Sequence, residues 1–115
     1  MSRPPHDLPL LSFASAGALR AWLAEHHASS PGMWLRIFKP HAPVASVSFA
    51  EVLDEGLCFG WSESARHAYD EVSYLQRFTP RQRIGTQSHR NRARVRVLLK
   101  EGRMTPAGLR VLGRE

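Results

Sequence analysis

Apolar residues first recur at helical spacing from about residue 15. Ala16, Leu19, Trp22, Leu23 and His26 fall within about a third of a turn of one another, which predicts a helix over 15–27 with this stripe on the core. Ser29-Ser-Pro-Gly32 breaks it. The run Met33 to Lys39 is apolar on both faces and reads as an interior strand. Ser48 and Glu51 form a capping box, with Val47 and Val52 at the flanking staple positions, so a second helix covers 48–58. Its inward stripe is Phe49, Val52, Leu53, Gly56 and Leu57, and Glu51, Asp54 and Glu55 lie outside that stripe as a solvated face.

After Gly60 the period changes to two. Trp61, Glu63, Ala65 and His67 share one face and Ser62, Ser64 and Arg66 the other; after a turn around 69–71, a second run from Val72 to Thr79 completes an antiparallel hairpin. Ser88 caps a third helix over 89–101 that Gly102 ends, with Asn91, Val95, Leu98 and Leu99 inward. Thr105 and Pro106 open a short fourth helix. Residues 1–12, with Pro4, Pro5 and Pro9, read as a poorly ordered lead-in. The expected architecture is α+β. A small three-stranded, mainly antiparallel sheet (33–39, 60–67, 72–79) is covered by three to four helices within a single domain over 13–115. Trp22, Leu23, Leu35, Ile37, Val52, Leu57, Phe78, Val95 and Leu98 form its predicted core.

Composition changes this picture in one respect, the distribution of charge. The 115 residues carry a net charge of +6. Residues 1–59 hold four basic and five acidic groups, whereas 60–115 hold twelve and five, net +7. The cations cluster at Arg81, Arg83, Arg90, Arg92, Arg94, Arg96, Lys100 and Arg103, against Glu101 alone. On the third helix His89, Arg92, Arg96 and Lys100 make one contiguous band. With Arg81, Arg83 and Arg103 it forms a candidate surface for nucleic acid or another polyanion. Residues 80–115 contain no Phe, Tyr or Trp, which favours contact with the phosphate backbone over base stacking. A solvated basic face is the competing reading.

The common catalytic and metal-binding motifs are absent: no glycine-rich phosphate loop, no paired-Cys zinc pattern, no HExxH and no GxSxG. No cofactor and no metal are expected. The single Cys58, between Leu57 and Phe59, reads as a buried inert thiol, and His26 and His27 as helix-boundary residues, because adjacent helical positions diverge by about 100°. No apolar run approaches a membrane span, and the first residues lack a signal-peptide pattern, so the expected location is cytoplasmic.

The segments Glu55-Gly-Leu-Cys-Phe-Gly-Trp61, Arg77-Phe-Thr-Pro-Arg81, Ser88-x-x-Asn91 and Glu101-Gly-Arg-Met-Thr-Pro-Ala-Gly108, in that order, resemble the bacterial YdeI/OmpD-associated family. The resemblance runs from about Phe13 to Leu109. It implies a small cytosolic protein linked to stress or bacteriocin protection, and it supplies no established catalytic residue. The family's recurrent polar positions fall on Trp61, Arg77, Arg81, Ser88 and Asn91. With Glu63, they make a candidate pocket in which Glu63 would act as a general base and Arg81 would hold an anionic substrate. Where the family shows Trp-Ile-Asp-Gly, this chain has Trp61-Ser-Glu63-Ser64, and where it shows Ser-x-Trp-Ser, this chain has Gly85-Thr-Gln87-Ser88. A protein-partner or homodimer module, revealed by a large exposed apolar patch, is a third reading.

Overall fold

In the computed structural model, which describes residues 7–81 and 89–113, the element order is β1 (Leu10–Ser12), α1 (Ala16–His26), β2 (Met33–Phe38), α2 (Phe49–Phe59), β3 (Trp61–Ala68), β4 (Ser73–Pro80), α3 (His89–Lys100) and α4 (Pro106–Val111). The caps expected at Ser48 and Thr105 are in place, and α1 has one at Ser15 besides. Ser15 Oγ accepts from the Ala18 amide at the start of α1. At α2, Ser48 Oγ accepts from the Glu51 amide and the Glu51 carboxylate accepts from the Ser48 amide, so two helix-end donors are satisfied reciprocally. Thr105 Oγ1 accepts from the Gly108 amide ahead of α4. The Ser88 cap lies outside the described residues.

The sheet has four strands in the order β1-β2-β4-β3 and is mixed: β1 runs parallel to β2, and the other two pairs are antiparallel. The three-stranded expectation missed β1. Leu10, Leu11 and Ser12 pair with Trp34, Leu35 and Arg36, and the Trp34 amide donates to the Pro9 carbonyl just before the strand. Three residues next to a proline carry no readable period. They form a strand because α1 returns the chain alongside them.

All helices whose side chains enter the core lie against one face of this sheet. Met33, Leu35, Ile37, Trp61 and Phe78 from the sheet meet Leu19 and Leu23 of α1, Val52, Leu57, Cys58 and Phe59 of α2, and Val95 and Leu98 of α3. The predicted core holds, with Trp22 at its margin packing edge-on against Trp61. Alternation sends Trp34, Arg36, Leu75 and Arg77 to the other face. There the Arg77 guanidinium lies over the Trp34 ring, and Asp7 accepts from both Trp34 Nε1 and Arg77. These two hydrogen bonds, Trp34's the larger influence, hold the Asp7 carboxyl below its ordinary range.

One irregularity changes which residues share a face. Between Glu63 and Arg66 the β3 register shifts: Glu63 faces Phe78, but Arg66 faces Gln76 and His67 faces Leu75. One extra residue in β3 thus moves Arg66 to the helix-covered face and His67 to the opposite one, where its ring meets Trp34 edge-on. This corrects the simple period-two reading. Gln76, 2% exposed, holds the bulge: its amide nitrogen donates to the Ser64 and Ala65 carbonyls and its oxygen accepts from Arg66 Nε. Gln76→Ala should cost about 1–3 kcal/mol in urea melts, the usual penalty for stranding buried polar groups. A loss below about 0.5 kcal/mol would show that the bulge needs no such support.

Candidate anion-binding surface

The α3 helix divides its cations between two directions. Val95 and Leu98 are buried, and Arg92, Arg96 and Lys100 stand exposed one turn apart on one side. Arg94 points the other way, toward α2. There it grips Asp54 with two hydrogen bonds of 2.7 Å, which raise the pKa of its guanidinium above the ordinary arginine value.

Arg103, expected on the same anion-binding surface, is committed elsewhere. Its guanidinium donates to Glu55 Oε2 at 3.0 Å and to Glu101 at 3.3 Å. Arg20 of α1 donates to Glu55 Oε1 and to the Arg103 carbonyl, both at 2.8 Å. Burial opposes the charge on Arg20 and on Arg103. It is the largest single influence on each, but the hydrogen bonds to Glu55 and the other hydrogen bonds and negative charges around them together outweigh it, and both stay more basic than usual. Arg103 therefore belongs to a structural cluster, and the expected surface loses it. Glu55 is the larger correction: the residue expected on a solvated helix face is 2% exposed, and both its oxygens are bridged by arginines.

The candidate pocket does not assemble as one unit. Trp61 is a core side chain packed on Phe78 and Trp22. Glu63 lies opposite Phe78, on the helix-covered face, whereas Arg77 points to the other face beside Trp34. Arg81 follows β4, half-buried, with its amide donating to the Gly60 carbonyl. Asn91, placed by its spacing on the inward stripe, is half-buried and lines a cleft between α2 and α3 with Ala50, Leu53 and Val97. Arg83, Ser88 and the His89 side chain lie outside the described residues.

The single cysteine and the histidine pair behave as their neighbours dictate. Cys58 is fully buried, and burial pushes its thiol pKa up, away from the reactive range. His27 Nδ1 sits 2.7 Å from the Leu23 carbonyl at the end of α1, and the His26 ring packs at a tilt against Trp22. Among the described residues no group of three or more His, Cys, Asp or Glu is placed to hold a metal ion, and no helix is long and apolar enough to cross a membrane. Among the described residues the exposed large apolar side chains, Leu10, Val44 and Val97, lie on three separate segments.

These features define a small α+β domain with a mixed four-stranded sheet, helices over one face and a basic stripe along an outer helix. The chain belongs to the family described as "Domain of unknown function (DUF8412)", which matches residues 11–111. No curated protein and no solved structure matches it, and no named relative ties it to the YdeI/OmpD-associated proteins that its segments resemble.

Proposed function

We propose that this chain is a non-enzymatic polyanion-binding protein that contacts nucleic-acid phosphates, with weak sequence preference, through the outward side of α3. The observation that carries this reading is the division of charge around that helix. Asp54, Glu55 and Glu101 are drawn to Arg94 and Arg103, while Arg92, Arg96 and Lys100 stay exposed. Four residues of α-helix rise about 6 Å, so the three cations suit neighbouring phosphates of a backbone. The resemblance to the YdeI/OmpD-associated family adds stress or bacteriocin protection in the cytoplasm as the setting.

Fluorescence polarisation with a labelled duplex tests it. Binding should fall linearly on a log–log plot against salt, with a slope of about −0.9 for each phosphate neutralised. The double variant Arg96→Ala/Lys100→Ala should flatten that slope by about 1.8. Absence of binding at low salt, or an unchanged slope in the double variant, overturns the proposal.

A further inference from the structure

We infer that a second, separate site takes a small ligand with an apolar body and one anionic head, in a cavity between the 40–48 segment, the start of α2 and the sheet. The cavity measures about 440 Å³, a size that suits a small-molecule ligand. Its walls are mostly apolar or aromatic (Ile37, Val44, Val47, Phe49 and Tyr74), with Ser46, Ser48 and Lys39 among them. Phe49 and Tyr74 carry the argument, because each also holds the Arg66 guanidinium.

The Arg66 guanidinium lies 4.2 Å from the centre of the Tyr74 ring and 5.0 Å from that of Phe49. Its Nε donates to Gln76. The side chain is thus fixed by two rings and one hydrogen bond. Its two terminal nitrogens form a fork that matches a carboxylate or phosphate. Among the described residues no carboxylate pairs with Arg66. Glu51, the acid nearest in sequence to this end of α2, is tied to the Ser48 amide by the capping box, and Lys39 Nζ reaches only the Glu71 carbonyl, at 3.4 Å.

Arg66 is itself exposed and borders the cavity through the two rings it shares with it. Fixing an arginine before a ligand arrives removes the entropy cost of ordering it, so the arrangement favours anion capture beyond what an unrestrained arginine offers. The bulge is what makes the site. Without its extra residue, Arg66 would lie on the opposite face of the sheet and the two rings would meet no cation. The ligand's apolar body fills the aromatic-walled cavity while its head meets Arg66, with Lys39 as a second positive charge.

Calorimetry and amide NMR spectra with 2-naphthoate, 2-naphthyl phosphate and the neutral 2-naphthamide test the inference. At least one anion should bind about tenfold or more tightly than the amide, with shifts at Val44, Phe49 and Tyr74; which anion wins identifies the head group. Arg66→Gln should abolish the preference over the amide, and Val44→Glu, at a 48% exposed position on the cavity wall, should repel both anions without touching the core. Arg96→Ala/Lys100→Ala should leave naphthoate binding intact, which separates this site from the α3 surface. Equal affinity for the amide, no saturable binding, indifference to Arg66→Gln, or shifts confined to α3 would each overturn the inference.

Discussion

Glu55→Ala is expected to destabilise the protein by about 3 kcal/mol, near the lower end of the range for breaking a buried ion pair. The carboxylate is 2% exposed, and each of its oxygens accepts from a different arginine, Arg20 from α1 and Arg103 from the segment after α3. Removing it leaves Arg20 without its carboxylate partner and leaves Arg103 to Glu101 at 3.3 Å and Asp54 at 4.0 Å. Arg20 also donates to the Arg103 carbonyl, so this pair of contacts joins α1, α2 and the turn leading to α4. The arginines are about a third exposed, so water relieves part of the penalty, and a larger loss is not expected. Urea melts of Glu55→Ala, Arg103→Ala and the double variant close a mutant cycle. The double variant should lose markedly less than the sum of the two single losses, because the charges compensate each other. Additive losses, or less than about 1 kcal/mol for Glu55→Ala, would mean that the cluster behaves as a surface pair.

Gly108→Ala should be comparably severe, at about 3 kcal/mol, for a steric reason. A Cβ at this position would lie 2.3 Å from the Cys58 carbonyl oxygen and 2.7 Å from that of Leu57. Neither atom can swing away: both belong to the α2 backbone, and the Cys58 carbonyl already accepts from the amide and hydroxyl of Thr105. The new methyl group must push α4 off α2, and overpacking against backbone is the costlier form of that error. Gly17→Ala is the control. That residue is exposed in α1 with its nearest contact at 3.8 Å, so the change should stabilise by up to about 1 kcal/mol through helix propensity. Calorimetric melting curves of the two variants should move in opposite directions. A Gly108→Ala protein within about 1 kcal/mol of the parent would show that the α2–α4 contact yields.

Much of the fold was legible because local chemistry marks it. The caps at Ser48 and Thr105, the apolar stripe of α1 and the two-sided burial of β2 each follow from residues close in sequence, and each appears where its spacing placed it. The candidate sites were less legible. Arg92, Arg96 and Lys100 share an exposed side of α3, as the helical period required. Arg103 has the same charge and proximity but serves Glu55. The pairing depends on a carboxylate 48 residues away.

The sequence by itself therefore determined the helices, the three longer strands, most of their inward faces and the basic character of the third long helix, because periodicity, capping and charge are properties of neighbouring residues. Only the tertiary structure decided the fourth strand, the burial of Glu55 and the face on which Arg66 lies. Each of these depends on contacts distant in the chain: β2 lying beside Leu10–Ser12, two arginines closing over one carboxylate, and a one-residue bulge held by Gln76. A strand's period states which residues alternate, and a single inserted residue reverses that assignment for every position beyond it.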